Sequence, residues 1–179
     1  MKLIFVRHGQ TRENRKHIIQ GWLPGHLTQK GKDQVEKTAK SLKNNKIEII
    51  YTSDLKRCLD TAKIIAKYHN VKIIKNRLLR EKRYGIFEGK SKEEYEHADL
   101  KGDKFHQKSF SGENWLDVQK RIKKFYSYIL QKHNSGTILI VSHQGALGVF
   151  ECVVRNLDLR KYFVKFRLTN AGVSIYNRR

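Results

Sequence analysis

The stretch Leu3-Ile4-Phe5-Val6-Arg7-His8-Gly9 decides the fold of this chain. Four consecutive apolar residues read as a strand buried on both faces, and the polar triplet falls where that strand ends. In open α/β sheets, ligands bind at the carboxyl ends of strands. An imidazole is a nucleophile, a guanidinium is a planar clamp for oxygens, and a glycine lets backbone approach closely. Arg7-His8-Gly9 at a strand end therefore suits attack on a phosphate. A second apolar run, Thr137-Ile138-Leu139-Ile140-Val141, ends the same way, in Ser142-His143-Gln144-Gly145. If the two strands are parallel neighbours, the imidazoles face one crevice about one inter-strand spacing apart, ~5 Å. A third run, Ile47-Glu48-Ile49-Ile50-Tyr51, closes on Thr52-Ser53, with Arg57 one helical turn further on.

Between these strands the apolar period is helical. Thr28 caps a helix that turns Val35, Ala39 and Leu42 inward and ends at Asn44-Asn45. Leu55, Leu59, Ala62, Ile65 and Ala66 share a face from about Asp54 to Tyr68, and Val118, Ile122, Phe125 and Ile129 do so from about Glu113 to Lys132. A further helix runs from the second histidine to about Val154. Val71–Ile74 reads as a short strand, and Ser91 with Glu94 as the capping box of a brief helix. Near the C-terminus, Tyr162–Leu168 and Gly172–Tyr176 alternate, which predicts an antiparallel strand pair around the turn Asn170-Ala171-Gly172. Strands alternating with helices predict an α/β fold: a three-layer α/β/α sandwich with a mostly parallel central sheet, as one domain over residues 1–179.

Composition agrees with that reading. The chain has 179 residues, 39% hydrophobic, with a single proline, which suits one globular domain with a good core. No apolar run approaches the ~20 residues that span a bilayer, and Met1-Lys2-Leu3 enters a strand directly, so a cytoplasmic, membrane-free protein is expected. Cys58 and Cys152 are lone cysteines within helices, so no disulfide is expected and Cys58 reads as a small core residue. Lys and Arg number 38 against 17 acids, a net charge of +21, and such a field draws polyanions. A basic nucleic-acid-binding domain is therefore a rival reading, helped by Tyr162-Phe163-Val164-Lys165-Phe166. Against it, the lysines spread along every helix and no nucleic-acid motif is present, so specific nucleic-acid binding is not expected. His17, His26, His69, His97, His106 and His133 show no metal-ligand spacing.

The chain resembles the histidine phosphatase superfamily, the phosphoglycerate mutase-like fold. The likeness is carried by Phe5-Val6-Arg7-His8-Gly9-Gln10-Thr11 with Asn14, by Gln20-Gly21-Trp22, and by Leu27-Thr28-Gln29-Lys30-Gly31. It continues through Tyr51-Thr52-Ser53-Asp54-Leu55-Lys56-Arg57-Cys58, Thr61-Ala62, Leu79-Arg80-Glu81, Gly85-Ile86-Phe87-Glu88-Gly89, Gly112-Glu113 and Val141-Ser142-His143. These motifs stand in family order over most of the chain. Two departures bear on substrate: Leu23-Pro24-Gly25-His26 replaces a stretch that usually carries an acid, and Gln144 follows the second histidine where a small residue or Asn is common.

The resemblance implies a phosphomonoester hydrolase that needs neither metal nor cofactor and forms a phosphohistidine at His8. Arg7 and Arg57 would bind the phosphate oxygens, His143 would donate to another, and Glu81 would be the general acid, in preference to Glu88. Asn14, Gln20, Gly21 and Gln144 are the further candidate contacts to a small phosphorylated substrate. Arg80, Lys82 and Arg83 flank Glu81 and are expected to point away from it. The alternative activity is phosphoglycerate mutase. Mutases of the family carry a larger insertion and a closing tail, whereas the insertion here covers only about residues 91–112, with Tyr95, Lys101, Lys104, Phe105 and Lys108 shaping the pocket mouth. A more open site favours water as acceptor. An edge strand near the C-terminus permits a homodimer.

Overall fold

The computed structural model describes residues 1–178. Its strands are β1 (Lys2–Arg7), β2 (Ile47–Thr52), β3 (Lys72–Lys75), β4 (Thr137–Ser142) and β5 (Val173–Asn177). They form one sheet in the order β3-β2-β4-β1-β5, parallel except for β5, which runs antiparallel to β1. The helices are α1 (Arg12–Arg15), α2 (Gln29–Leu42), α3 (Lys56–Ala66), α4 (Lys92–Glu96), α5 (Trp115–Lys132), α6 (Gln144–Val154) and α7 (Leu159–Tyr162).

The three layers follow from the two-residue period of the strands. Leu3, Phe5, Ile138 and Ile140 face one side, where Val118, Ile122, Phe125 and Ile129 of α5 and Leu147 and Phe150 of α6 pack against them. Ile4, Val6, Leu139 and Val141 face the other, against Val35, Ala39 and Leu42 of α2 and Cys58, Ala62 and Ile65 of α3. Covered on both faces, each such aliphatic side chain contributes about 1.5–3 kcal/mol by burial, which is why the apolar runs are continuous rather than alternating. The helices start where their caps lie: Thr28 accepts from the Gly31 amide, and Asn114 with Asp117 closes a capping box on α5. Among the described residues no helix is long and apolar enough to cross a membrane.

The C-terminal segment differs from the expected strand pair. Asp158 caps α7 through the amides of Arg160 and Lys161, a 3₁₀ turn covers Phe163–Lys165, and the chain then runs without regular structure to β5. β5 pairs with the open edge of β1 rather than with Tyr162–Leu168. The alternation misled because only Phe163 of that stretch is buried, drawn onto Trp115 at 4.5 Å between ring centroids, while Val164 stays 46% exposed. On α3 the inward face is also more polar than expected: Arg57, Cys58 and Thr61 are buried there, while Leu59 and Ala66 are only half-buried.

Candidate active site

Sheet register assembles the site. Arg7 pairs with Ser142 across β1 and β4, and Thr52 pairs with Val141 across β2 and β4. The next residues, His8, His143 and Ser53, therefore leave the sheet side by side at its carboxyl edge. The two imidazoles stand with centroids 5.3 Å apart at 64°, matching one strand spacing.

His8 is held in one tautomer. Its Nδ1 lies 2.8 Å from the carbonyl of Gly9, which can only accept, so Nδ1 carries the proton and Nε2 keeps its lone pair. Burial, and then the charges of Arg57 and Arg7, hold its pKa well below the ordinary 6.5. The ring is thus neutral at the cavity wall, with its Nε2 lone pair free of a protein partner. The C-terminal loop fixes its backbone: the Ala171 amide and Asn170 Nδ2 both donate to the His8 carbonyl, and the Arg7 amide donates to Gly172.

The two arginines are placed differently. Arg7 donates through Nη1 to the Leu168 carbonyl, while its buried Nε has no protein partner and the side chain lines the cavity. A buried donor without an acceptor is costly, and an oxyanion oxygen would satisfy it. Arg57 is 1% exposed and is already engaged. Its Nη1 donates to the carbonyls of Leu23 and Pro24, its Nη2 to that of Gly21, and its Nε to His143 Nδ1 at 3.1 Å. It borders the cavity chiefly as a buried charge that ties the loop 21–24 down.

His143 is fully buried and does not reach the cavity wall. Because its Nδ1 accepts from Arg57, its Nε2 carries the proton and donates to Ser53 Oγ at 2.9 Å. Both of its ring nitrogens have protein partners. The ring aligns Arg57 and packs beside His8. Burial, followed by Arg57 and His8, holds its pKa well below 6.5. Cys58 Sγ lies 3.4 Å from its Nε2, and burial pushes that thiol far up, leaving it an inert core group.

Glu81 lines the cavity beside the start of α6. Its carboxylate accepts from the amides of Gly145, Ala146 and Lys82 at 3.1, 3.1 and 2.9 Å, which fixes it at the N-terminus of α6, where a negative charge is favourable. Its own carbonyl accepts from Trp22 Nε1 and Arg121 Nη2, both at 2.9 Å. The flanking cations do point away: Arg80 forks onto Asp54 at 2.7 and 2.6 Å, Arg83 lies over Trp22, and Lys82 turns into the interior. Glu88 is outside the cavity lining and holds the amides of Trp22 and Tyr84.

Asn14, Gln20, Gly21 and Gln144 all line the same cavity, which holds about 710 Å³. Asn14 spends its Oδ1 on the Thr11 amide and on Asn170, leaving its amide nitrogen to donate. The buried Gln20 Oε1 lacks a protein partner. Gly21 sits at φ +46°, where a Cβ would also meet Glu88 Oε1 at 2.2 Å, so no other residue fits. From the insertion, Tyr95 and Lys104 line the cavity mouth, while Phe105 packs on the core instead. Among the described residues no group of three His, Cys, Asp or Glu could hold a metal ion.

Several residues that shape the site were given no role by the sequence. Arg121 projects from α5 and grips the carbonyls of Leu78, Arg80 and Glu81 and the carboxylate of Glu113, fixing the acid loop. Ser142 Oγ donates to the Leu79 carbonyl at 2.6 Å and ties the same loop to β4. Asn170 and Ser53 hold the two histidines from loops remote in sequence. A charged residue on the apolar face of α5 was the one available hint, for Arg121.

Two strand-end histidines side by side, with Arg7, Arg57 and Glu81 around them, define the class of protein. The chain belongs to the histidine phosphatase superfamily (branch 1), whose family model matches residues 3–179. It is 31% identical to phosphoserine phosphatase 1 of Hydrogenobacter thermophilus, over 98% of this chain and 85% of that protein. It is 32% identical to the 2,3-bisphosphoglycerate-dependent phosphoglycerate mutase of Bartonella bacilliformis, over 87% and 82% of the two chains. Among solved structures, Bacillus stearothermophilus YhfR superposes with a TM-score of 0.90 at 27% identity, covering 99% of this chain and 91% of that one.

Proposed function

We propose that the protein is a phosphomonoester hydrolase working through a phosphohistidine at His8, on small phosphorylated metabolites, without metal or cofactor. The observation that carries this reading is the Gly9 carbonyl on His8 Nδ1, which leaves a neutral Nε2 at the cavity beside the unpartnered Nε of Arg7. In the first step the Nε2 lone pair attacks phosphorus, the P–O ester bond breaks, and the alcohol oxygen takes the proton of Glu81. In the second, water attacks the phosphohistidine, Glu81 takes the water's proton, and the P–N bond breaks to release phosphate and neutral His8. Arg7 meets the equatorial oxygens, and Arg57, aligned by His143, adds fixed positive charge without reorganising.

Phosphoglycerate mutase is the second reading, favoured by the 32% identity to such an enzyme. The large cavity with its short insertion supports hydrolysis, since water reaches the phosphoenzyme. The test is phosphate release from a panel of monoesters, phosphoserine and 3-phosphoglycerate included, with a chelator present. Release by the wild type that vanishes in His8→Ala supports the hydrolase. Isomerisation of phosphoglycerate in the presence of its bisphosphate, without release, makes the protein a mutase.

A further inference from the structure

We propose that the substrate's alcohol carries a flat, apolar ring, which packs against an aromatic wall of the cavity. This rests on the hydrolase reading and adds to it the chemical class of the leaving group. The wall is made by Tyr84, Tyr95, Trp115, Phe163 and Phe166, all of which line the cavity. Behind three of them stands Lys82, only 2% exposed. Its ammonium lies 5.1, 5.5 and 5.2 Å from the ring centroids of Tyr84, Tyr95 and Trp115 and donates to Tyr95 Oη at 3.0 Å. Cation–π attraction from a desolvated charge draws three rings onto one point, so the wall is fixed before any ligand arrives. Ring-on-ring contacts extend it: Tyr84 meets Tyr95 at 5.1 Å and 83°, and Trp115 meets Phe163 at 4.5 Å. Burial pulls the Lys82 pKa down to about 8, against the opposing charges of Glu81, Glu113 and Asp117.

Several of the polar side chains that line the cavity are already engaged. Tyr95 Oη holds Lys82, Lys92 pairs with Glu96 at 3.0 Å, and Gln107 Nε2 donates to the carbonyls of Leu100 and Gly102. A sugar or polyol needs hydrogen-bond partners when it leaves water, whereas an aromatic or other flat ring needs ring faces. The cavity, about 710 Å³, has room for such a group beyond the phosphate.

The experiment compares kcat/KM for 2-phenylethyl phosphate and ethyl phosphate, two alkyl esters with similar leaving oxygens that differ in the ring. The expected ratio for the wild type is about tenfold or more in favour of the ring. It falls at least about threefold in Phe166→Ala, a half-buried position, and in Tyr95→Leu, with folding of both checked by thermal unfolding. Release from both esters at a ratio near one overturns the inference while leaving the hydrolase reading intact. A high ratio that both folded variants keep also overturns it, since the wall would then not be what reads the ring. Release from neither ester, in an enzyme that hydrolyses another monoester of the panel, overturns this inference and leaves the hydrolase reading intact.

Discussion

The two halves of the cavity are built by different means. At the strand-end half, His8, Ser53 and His143 follow directly from three strands in register, and Glu81 is held by backbone amides. At the other half, the wall comes from the Glu81 loop itself through Tyr84, the insertion, the start of α5 and the segment after α7, and side chains hold it together around Lys82. Backbone geometry resists change, because each hydrogen bond depends on an element fixed elsewhere. Side-chain packing on loops tolerates it. On the proposed function, chemistry belongs to the first half and choice of substrate to the second. Variants should divide the same way, with losses of turnover on every ester from one half and shifts between esters from the other.

The comparison breaks most sharply at Glu81. Glu81→Gln keeps an acceptor for only one of the two α6 amides and has no acidic proton to give, so, with folding checked by thermal unfolding, it should slow alkyl esters by about 10²–10⁴-fold. A nitrophenyl ester, whose leaving group needs no proton, should lose far less. Equal losses on both would remove Glu81 from the role of acid. Arg121→Met comes next, because it frees three carbonyls and strands the Glu113 carboxylate, with both side chains under 20% exposed. Denaturant unfolding should lose about 3 kcal/mol, and kcat on alkyl esters should fall alongside while the ratio between ring-bearing and simple esters holds. A changed ratio with unchanged kcat would blur the two halves.

The smallest effect is on acid stability. His8 and His143 have folded pKa values well below 6.5, so the unfolded chain binds more protons as pH falls. Their neutral burial contributes stability that is fully present above about pH 6.5 and is lost as the pH falls through the folded values. Melting temperature should decline on acidification below pH 6.5, and His8→Asn should flatten that decline by the equivalent of about one proton. An unchanged slope would mean that His8 is not held neutral by the fold.

Most of the strand-end half was legible in the sequence because its determinants are local. An apolar run followed by Arg-His-Gly fixes both a strand and what it presents, and the pairing of β1 with β4 needed only two such runs. The pairing of residues with roles was less legible. That Arg57 spends its donors on the carbonyls of Gly21, Leu23 and Pro24, and that His143 lies behind it, depend on how the loop at 21–24 closes, which no periodicity records. The other half was nearly silent. Lys82 reads as one more surface cation in a chain of 38 Lys and Arg, and only the convergence of Tyr84, Tyr95 and Trp115 explains its burial. The stretch Tyr162–Leu168 read as a strand because its aromatics alternate, yet Phe163 was drawn to Trp115 by tertiary packing instead.

The central claim is covalent: the phosphoryl group rests on His8 between two steps. The direct measurement is to mix enzyme with excess monoester, quench in alkali during turnover, and map phosphate by peptide mass spectrometry. The account predicts acid-labile, alkali-stable phosphate on the peptide containing His8, at His8 itself, and none in His8→Ala. Phosphate found on another residue, or steady release of phosphate with none trapped on the chain in a rapid-quench time course, would contradict it.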